Sequence, residues 1–412
     1  MSYVVNRNVD KARYGYFRFS DDEYARRHRK IRQFMTEHDL GCLLITGQGA
    51  IWDRCWSNIT YVMNWMGTME FPAYCVFPIE GEPIVTCLDL NASFPDRVAR
   101  ITVGEARGRM DTVGLAAECI QEFNLQSSRI GLVGPDVMAS IPANHLKTLT
   151  ETLPHAEFID VTEGWWLMRL AKSPEELAAI ELAAYWGDLI NIELSKLIKP
   201  GITERELFSM SYSIAFKLGA DYPSMLLIGT APMDRPFGSF PRNKPVDRIL
   251  QRGDVVITEL GPRHPGGYEA QVGHIFTLGP ATSLYKELFA KAVESHDRIR
   301  DVLLPGNTEM NIWEAGHSFH EENYDAELPR TSNSAHVHGM FAVPRDFQQK
   351  RVVYEKPIDT NPLVPYQVIA IEVRATTSDR TGSGPYIVKP YVVMPAGPPK
   401  ALSQLPLEIA EL

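Results

Sequence analysis

The sequence has no paired cysteines, no basic run, no long apolar segment and no low-complexity tract, and each absence removes a class of function. Its five cysteines (Cys42, Cys55, Cys75, Cys87, Cys119) all lie in the first third, and none forms a CxxC pair. Zinc clips and thiol–disulfide motifs need that spacing, so buried reduced thiols in a cytoplasmic protein are expected. Lys and Arg number 41 against 51 Asp and Glu, a net charge of −10 with no clustered cations. Nucleic-acid binding depends on a cationic face, so no nucleic-acid partner is expected. No stretch approaches the roughly 20 apolar residues of a membrane span, and no membrane partner is expected either. The opening "MSYVVNRNVDKARYGYFRF" lacks the apolar centre of a secretory signal. What remains is ordinary globular composition, 44% apolar and 22% charged over 412 residues, enough for two or three domains.

Helices and short apolar strands alternate through the first 165 residues or so. "DDEYARRHRKIRQFMTEHDLG" (21–41) reads as a helix with an apolar stripe, stopped by Gly41. "CLLIT" (42–46) follows as a buried strand, and "AYCVFPIEGEPIVTCL" (73–88) as a hairpin turning on Glu-Gly-Glu-Pro. Helices near 112–124 and 140–153 lead to strands at 129–134 and 156–162, an α/β pattern. Ser173 and Glu176 then form a capping box, with Pro174 in the first turn of a long helix. Thr203 and Glu206 repeat the device before a helix stopped by Gly219. Helices at 283–303 and 308–323 and strands at 225–229, 253–260, 267–278, 366–374 and 386–394 read as α+β. Helices would pack on one face of a curved antiparallel sheet, leaving the other free for a site. Two domains are expected, 1–168 and 169–412.

Four pieces in order resemble the family of creatinase, aminopeptidase P and prolidase (M24-type). They are "MRLAKSPEELAAIELAA" (168–184), "QRGDVVITELGPRHPGGYEAQVGHIFTLG" (251–279), "SAHVHGM" (334–340) and "YQVIAIEV" (366–373). The resemblance implies a pita-bread fold: an N-terminal α/β domain and an α+β catalytic domain whose sheet holds the site. It also implies a homodimer in which the N-domain loop 64–75 reaches the partner's site. Metal-dependent members hold two ions on two Asp, a His and two Glu. The matching positions here carry Glu259, Gln271, His338 and Glu372; Gln271, at the second Asp, is neutral and cannot bridge two cations, and the final Glu falls at Val388–Lys389, where no carboxylate stands. Hard divalent cations need several anionic oxygens, and a nearby Lys389 would compete with them. No metal and no other cofactor is expected.

Creatinase, the metal-free member, uses a His as acid and base with carboxylates that orient water. Where that His would fall, within 229–254, this chain has Pro236 or Phe237. The resemblance therefore shifts proton transfer to His338, Glu372 and Glu259. Imidazole titrates near neutral pH, and a carboxylate on a neighbouring strand sets its tautomer and basicity. Glu372 sits amid apolar strand residues, where an unpaired carboxylate would be costly. The expected substrate-binding set is His336, His274, Gln271, Arg345, Arg235, Phe71, Met69 and Trp65. His336 alternates with His338 and so shares its strand face. Arg345 resembles the arginine that takes the substrate carboxylate in creatinase, with Arg235 as a second anion contact. Trp65, Met69 and Phe71 would give an apolar substrate face, whereas His264, in the turn, is expected to be solvated.

These residues predict a metal-independent enzyme that hydrolyses a C–N bond of a small organic molecule. A lyase or decarboxylase acting on a small carboxylated or aromatic molecule would use the same His and Glu. A third alternative is a non-catalytic interaction module.

Overall fold

The computed structural model describes residues 3–6, 11–47, 57–67, 71–134, 141–233, 244–322, 330–338, 361–376 and 383–412. For 13, 57, 224, 317–322, 330–338, 376 and 383 it describes the backbone alone. The chain forms two compact units: Met1–Arg169 with Pro265–Gly267, and Leu170–His264 with the described chain from Tyr268 onward.

In the first unit the strands are β1 (Cys42–Gly47), β2 (Ala73–Pro78), β3 (Ile84–Cys87), β4 (Glu105–Gly108), β5 (Arg129–Val133) and β6 (Glu157–Asp160). They form one mixed sheet in the order β4-β3-β2-β1-β5-β6. The central pairs β1–β2 and β2–β3 are antiparallel, and the remaining pairs are parallel. The helices are α1 (Asp21–Glu37), α2 (Ser57–Met63), α3 (Asp89–Ser93), α4 (Pro95–Val98), α5 (Thr112–Glu122), α6 (Ala143–Thr152) and α7 (Thr162–Met168). One face of the sheet, with Leu44, Val76, Ile130 and Leu132, packs against Val113, Ala116 and Ile120 of α5 and Leu149 of α6. Cys42, Cys75, Cys87 and Cys119 are buried free thiols. Burial pushes the thiols of Cys42 and Cys119 up to about 12, so they are unreactive.

The stop of α1 differs from expectation. Asp39, not Gly41, takes the left-handed conformation (φ 54°), and Leu40 N–H closes back on Met35 O at 2.9 Å. Asp is among the few side chains that tolerate that region. Gly41 serves packing instead, since a Cβ there would lie 2.6 Å from Ser128 Cβ.

The second unit opens with α8 (Pro174–Leu197) and α9 (Glu204–Leu218), and both expected capping boxes form. Each contributes about 1 kcal/mol by satisfying helix N–H groups that would otherwise lack partners. Next come β7 (Asp221–Pro232), β8 (Asp254–Arg263), β9 (Val272–Thr277), α10 (Ser283–Asp301), α11 (Glu309–Glu322) and β10 (Arg330–His338). The chain closes with β11 (Val368–Thr376), β12 (Ser383–Val392), β13 (Lys400–Ala401) and β14 (Ile409–Glu411). The strand expected over 267–278 starts only at Val272, because the preceding residues run through the turn and a single bridge, Arg263 to Glu269.

The strands form two four-stranded sheets, β14-β9-β8-β7 and β10-β11-β12-β13. β9 of one lies against β12 of the other. A Cβ at Gly273 would lie 2.8 Å from Val388 Cβ, so only glycine permits this approach.

Helices cover one face of each sheet. Trp186, Ile190 and Leu194 of α8 and Leu207 and Phe208 of α9 pack on Leu226, Ile228, Val256, Leu260 and Phe276. Leu288, Ala292 and Ile299 of α10 pack on Ile369, Ile371, Val373, Ile387 and Tyr391. Strand alternation then assigns the intervening residues, among them Glu259, Gly273, Glu372, Arg374, Tyr386 and Val388, to the opposite face. The second unit is thus an α+β layer pair whose site face is set by register.

Candidate functional site

The β8–β9 hairpin is pinned at its base and along its back. At the base, Arg248 grips the Asp254 carboxylate with two N–H groups, at 2.8 and 2.6 Å. On the back, Thr258 donates to Asn191 Oδ1 of α8 at 2.7 Å and accepts from His274 N–H at 3.1 Å. Register sets Glu259 opposite Gly273 and Leu260 opposite Val272, which brings Gln271 onto the face of Glu259. On the second sheet Glu372 faces Val388 across β11–β12.

Three side chains meet on this face. The Gln271 amide nitrogen donates to Glu372 Oε1 at 2.6 Å and also to Glu259 Oε1. All three are enclosed, Glu259 at 0% exposure, Gln271 at 3% and Glu372 at 7%. An amide NH2 between two carboxylates makes two charge-assisted hydrogen bonds, each stronger than a neutral one. Without that bridge, two carboxylates would face each other in a low-dielectric interior.

Tyr386 and Arg374 complete the cluster, and the sequence reading missed both. They face each other in the β11–β12 register, with the Arg374 guanidinium over the Tyr386 ring at 5.1 Å. Burial pushes the Tyr386 phenol well above its ordinary range, and the charges of Glu259 and Glu372 push it further. The phenol therefore keeps its proton. The signal for Tyr386 was its parity: it lies two residues before Val388 on the strand that pairs with Glu372.

The remaining sequence candidates are dispersed. Backbone register sets Ser334 opposite Glu372, His336 opposite Ala370 and His338 opposite Val368. His338 is four strand residues beyond the position facing Glu372, a span of roughly 13 Å. His274, expected to line the site, lies on the Thr258 side of the hairpin against Phe276, with ring centroids 4.9 Å apart. Burial, with a smaller effect from Lys389, pushes its imidazole down to about 4. Lys389 was expected near the site as a competitor for cations, but it shares the helix-covered face and donates to Leu405 O at 2.8 Å. His264 was expected to be solvated, yet it is buried, stacked on Trp186 at 5.9 Å, and pushed down to about 4 by burial. Trp65, expected on an apolar substrate face, is at 0% exposure in the first unit, so its ring presents no surface. Phe71 is exposed. Met69, Arg235 and Arg345 lie outside the described residues.

The donor set does not suit a pair of metal ions. At the bridging position, where a cation needs an anionic oxygen, Gln271 directs N–H groups at the flanking carboxylates. Val388 directly faces Glu372, with methyl groups where a further carboxylate would stand. Among the described residues no group of three or more His, Cys, Asp or Glu is placed to hold a metal ion. No helix among them is long and apolar enough to cross a membrane.

Comparison with known proteins gives this geometry its context. The model of metallopeptidase family M24 matches residues 180–393. Creatinase from Bacillus sp. is 21% identical over 332 residues, covering 79% of this chain and 77% of its own length. The probable dipeptidase PepE of Mycobacterium tuberculosis is 22% identical over 297 residues, covering 72% and 74%. The crystal structure of X-Pro aminopeptidase from Thermotoga maritima superposes with a TM-score of 0.75 at 16% identity, over 93% of this chain and 99% of that one.

Proposed function

The chain belongs to metallopeptidase family M24, and on that footing we propose a hydrolase that cleaves a C–N bond in a small organic substrate without a two-metal centre. The observation that carries this reading is the Gln271 amide, held between Glu259 and Glu372 where the family's bridging carboxylate would be. Its similarity to a creatinase, a dipeptidase and an aminopeptidase supports hydrolysis of a C–N bond.

In this mechanism Glu372 is the general base. It keeps slight exposure at 7%, whereas Glu259 is sealed at 0% and serves to hold Gln271. Glu372 takes a proton from water as the oxygen attacks the substrate carbon. The C–N bond then breaks, and the departing nitrogen takes the proton that Glu372 removed from water. His338, whose position lies roughly 13 Å along the ladder from the one facing Glu372, is left out of this step. Gln271 orients both carboxylates and remains neutral throughout.

The test is a screen of amides, ureas and amidines in the presence of EDTA, comparing the wild type with Glu372→Gln. Amine or ammonia release by the wild type, reduced about 10²–10⁴-fold in the variant, is expected. Turnover that releases no amine, or that Glu372→Gln leaves unchanged, would contradict it.

A further inference from the structure

We propose that α8 is a homodimer seam, on which a second copy of this chain packs its own α8 in the antiparallel direction. The surface is distinct from loop 64–75, and the proposal does not depend on the hydrolase reading.

α8 is apolar on two opposite sides. One side, with Trp186, Ile190 and Leu194, packs on the sheet. The other carries Ala178, Leu182, Tyr185, Leu189 and Ile192, each at least partly open to solvent. Tyr185 stands at 53% exposure, Ile192 at 40% and Leu182 at 38%. A surface helix ordinarily turns polar residues to water, and one that is apolar all round is covered all round. Between Leu182 and Ile192 the only charged residue is Asp188, which is buried and accepts from Ser403 Oγ–H and Gln404 N–H, each at 2.7 Å.

Spacing points to the occupant. From Ala178 to Lys196 the stripe recurs at gaps of four, three, four, three and four residues, the average of about 3.5 that defines a two-helix seam. The pattern reads the same in both directions from Gly187. A two-fold contact requires such a self-complementary patch. With the axis at Gly187, Leu182 meets the partner's Ile192 and Tyr185 meets the partner's Leu189.

Charge sets the direction. Glu175 lies in the first turn of α8, whereas Lys196 and Lys199 lie at its far end. Antiparallel packing brings Glu175 to the partner's Lys199 and opposes the two helix dipoles, whereas parallel packing sets like charges together. The apolar surface also continues onto the end of α9. A Cβ at Gly219 would lie 3.9 Å from the Trp186 ring, so that end lies beside the middle of α8. Phe216 and Tyr222 are exposed there, with ring centroids 6.2 Å apart. Stable dimers bury roughly 800 Å² per partner, and this aromatic pair widens the stripe toward that size.

Analytical ultracentrifugation of the full chain tests the seam. Wild type is expected at two chain masses or a higher even multiple. Tyr185→Glu/Ile192→Glu is expected at half the wild-type mass, with an unchanged far-UV circular dichroism spectrum. A monomeric wild type overturns the proposal, as does a folded double variant that keeps the wild-type mass. Oxidative cross-linking tests direction and register, whether or not the charged variant folds. Leu182→Cys/Ile192→Cys should give a disulfide-linked dimer on a non-reducing gel. Leu182→Cys alone should not, and neither should the wild-type chain with its own cysteines. No linkage in the double variant, or equal linkage in Leu182→Cys alone, overturns the antiparallel seam.

Discussion

The two faces of the β8–β9 hairpin carry similar polar residues, yet they treat them in opposite ways. On the back, Thr258 is paired with Asn191, and His274 lies against Phe276, kept neutral by burial. On the front, Glu259 and Glu372 are bonded to a single amide, with Tyr386 and Arg374 alongside. Back-face polarity is matched by the covering helix and neutralised, which is how a core accommodates it. Front-face polarity is matched within the cluster itself. The difference supports the front as the proposed working side where residue types alone do not, since the sequence offered both His274 and Glu259 as site residues.

The largest expected effect comes from breaking the front. Glu372→Gln should reduce turnover by two to four orders of magnitude while leaving the unfolding midpoint nearly unchanged, measured by steady-state kinetics and thermal melts. Gln271→Glu removes the bridging N–H groups and brings three carboxylates together. It should destabilise the fold by about 2–4 kcal/mol at pH 8 and by less at pH 5, where protonation relieves the repulsion. Equal destabilisation at both pH values in urea melts would show that Gln271 is a packing residue, not an electrostatic bridge.

Breaking the back should act on stability alone. Thr258→Val leaves Asn191 Oδ1 without its donor and should cost about 1–3 kcal/mol, with no change in pH profile or KM. A last effect lies in the acid range. His264 and His274 are pushed down to about 4 in the folded chain, against an ordinary value of 6.5. The unfolded chain then binds more protons than the folded one between those values. Their contribution is therefore level above pH 6.5 and falls as pH drops toward 4, by at most about 1.4 kcal/mol per pH unit for each group. Urea melts between pH 7 and 4 check this, and His264→Phe should flatten the slope.

Much of this architecture was legible in the sequence because local rules govern it. The capping boxes at Ser173 and Thr203 and the hairpin around Pro265–Gly267 depend on neighbours a few residues apart. Glu259, Gln271 and Glu372 were found through motif positions. His274 was misplaced even though it lies three residues from Gln271, an odd spacing that turns it to the other face of any regular strand. Tyr386 and Arg374 were missed for a different reason. Their pairing depends on the β11–β12 register, which is set by long-range packing. At Asp39 a residue other than glycine supplied the left-handed turn, a conformation that Asp adopts only occasionally.

The central claim is that the Gln271 amide has taken over the structural part of a bridging metal ligand. Metal content by plasma mass spectrometry, with amine release measured before and after EDTA treatment, tests it most directly. The account predicts well under one equivalent of manganese, zinc or iron per chain and the same turnover after chelation. About one or two equivalents of any of these ions per chain, with turnover that is lost on chelation and restored by adding the ion back, would contradict it.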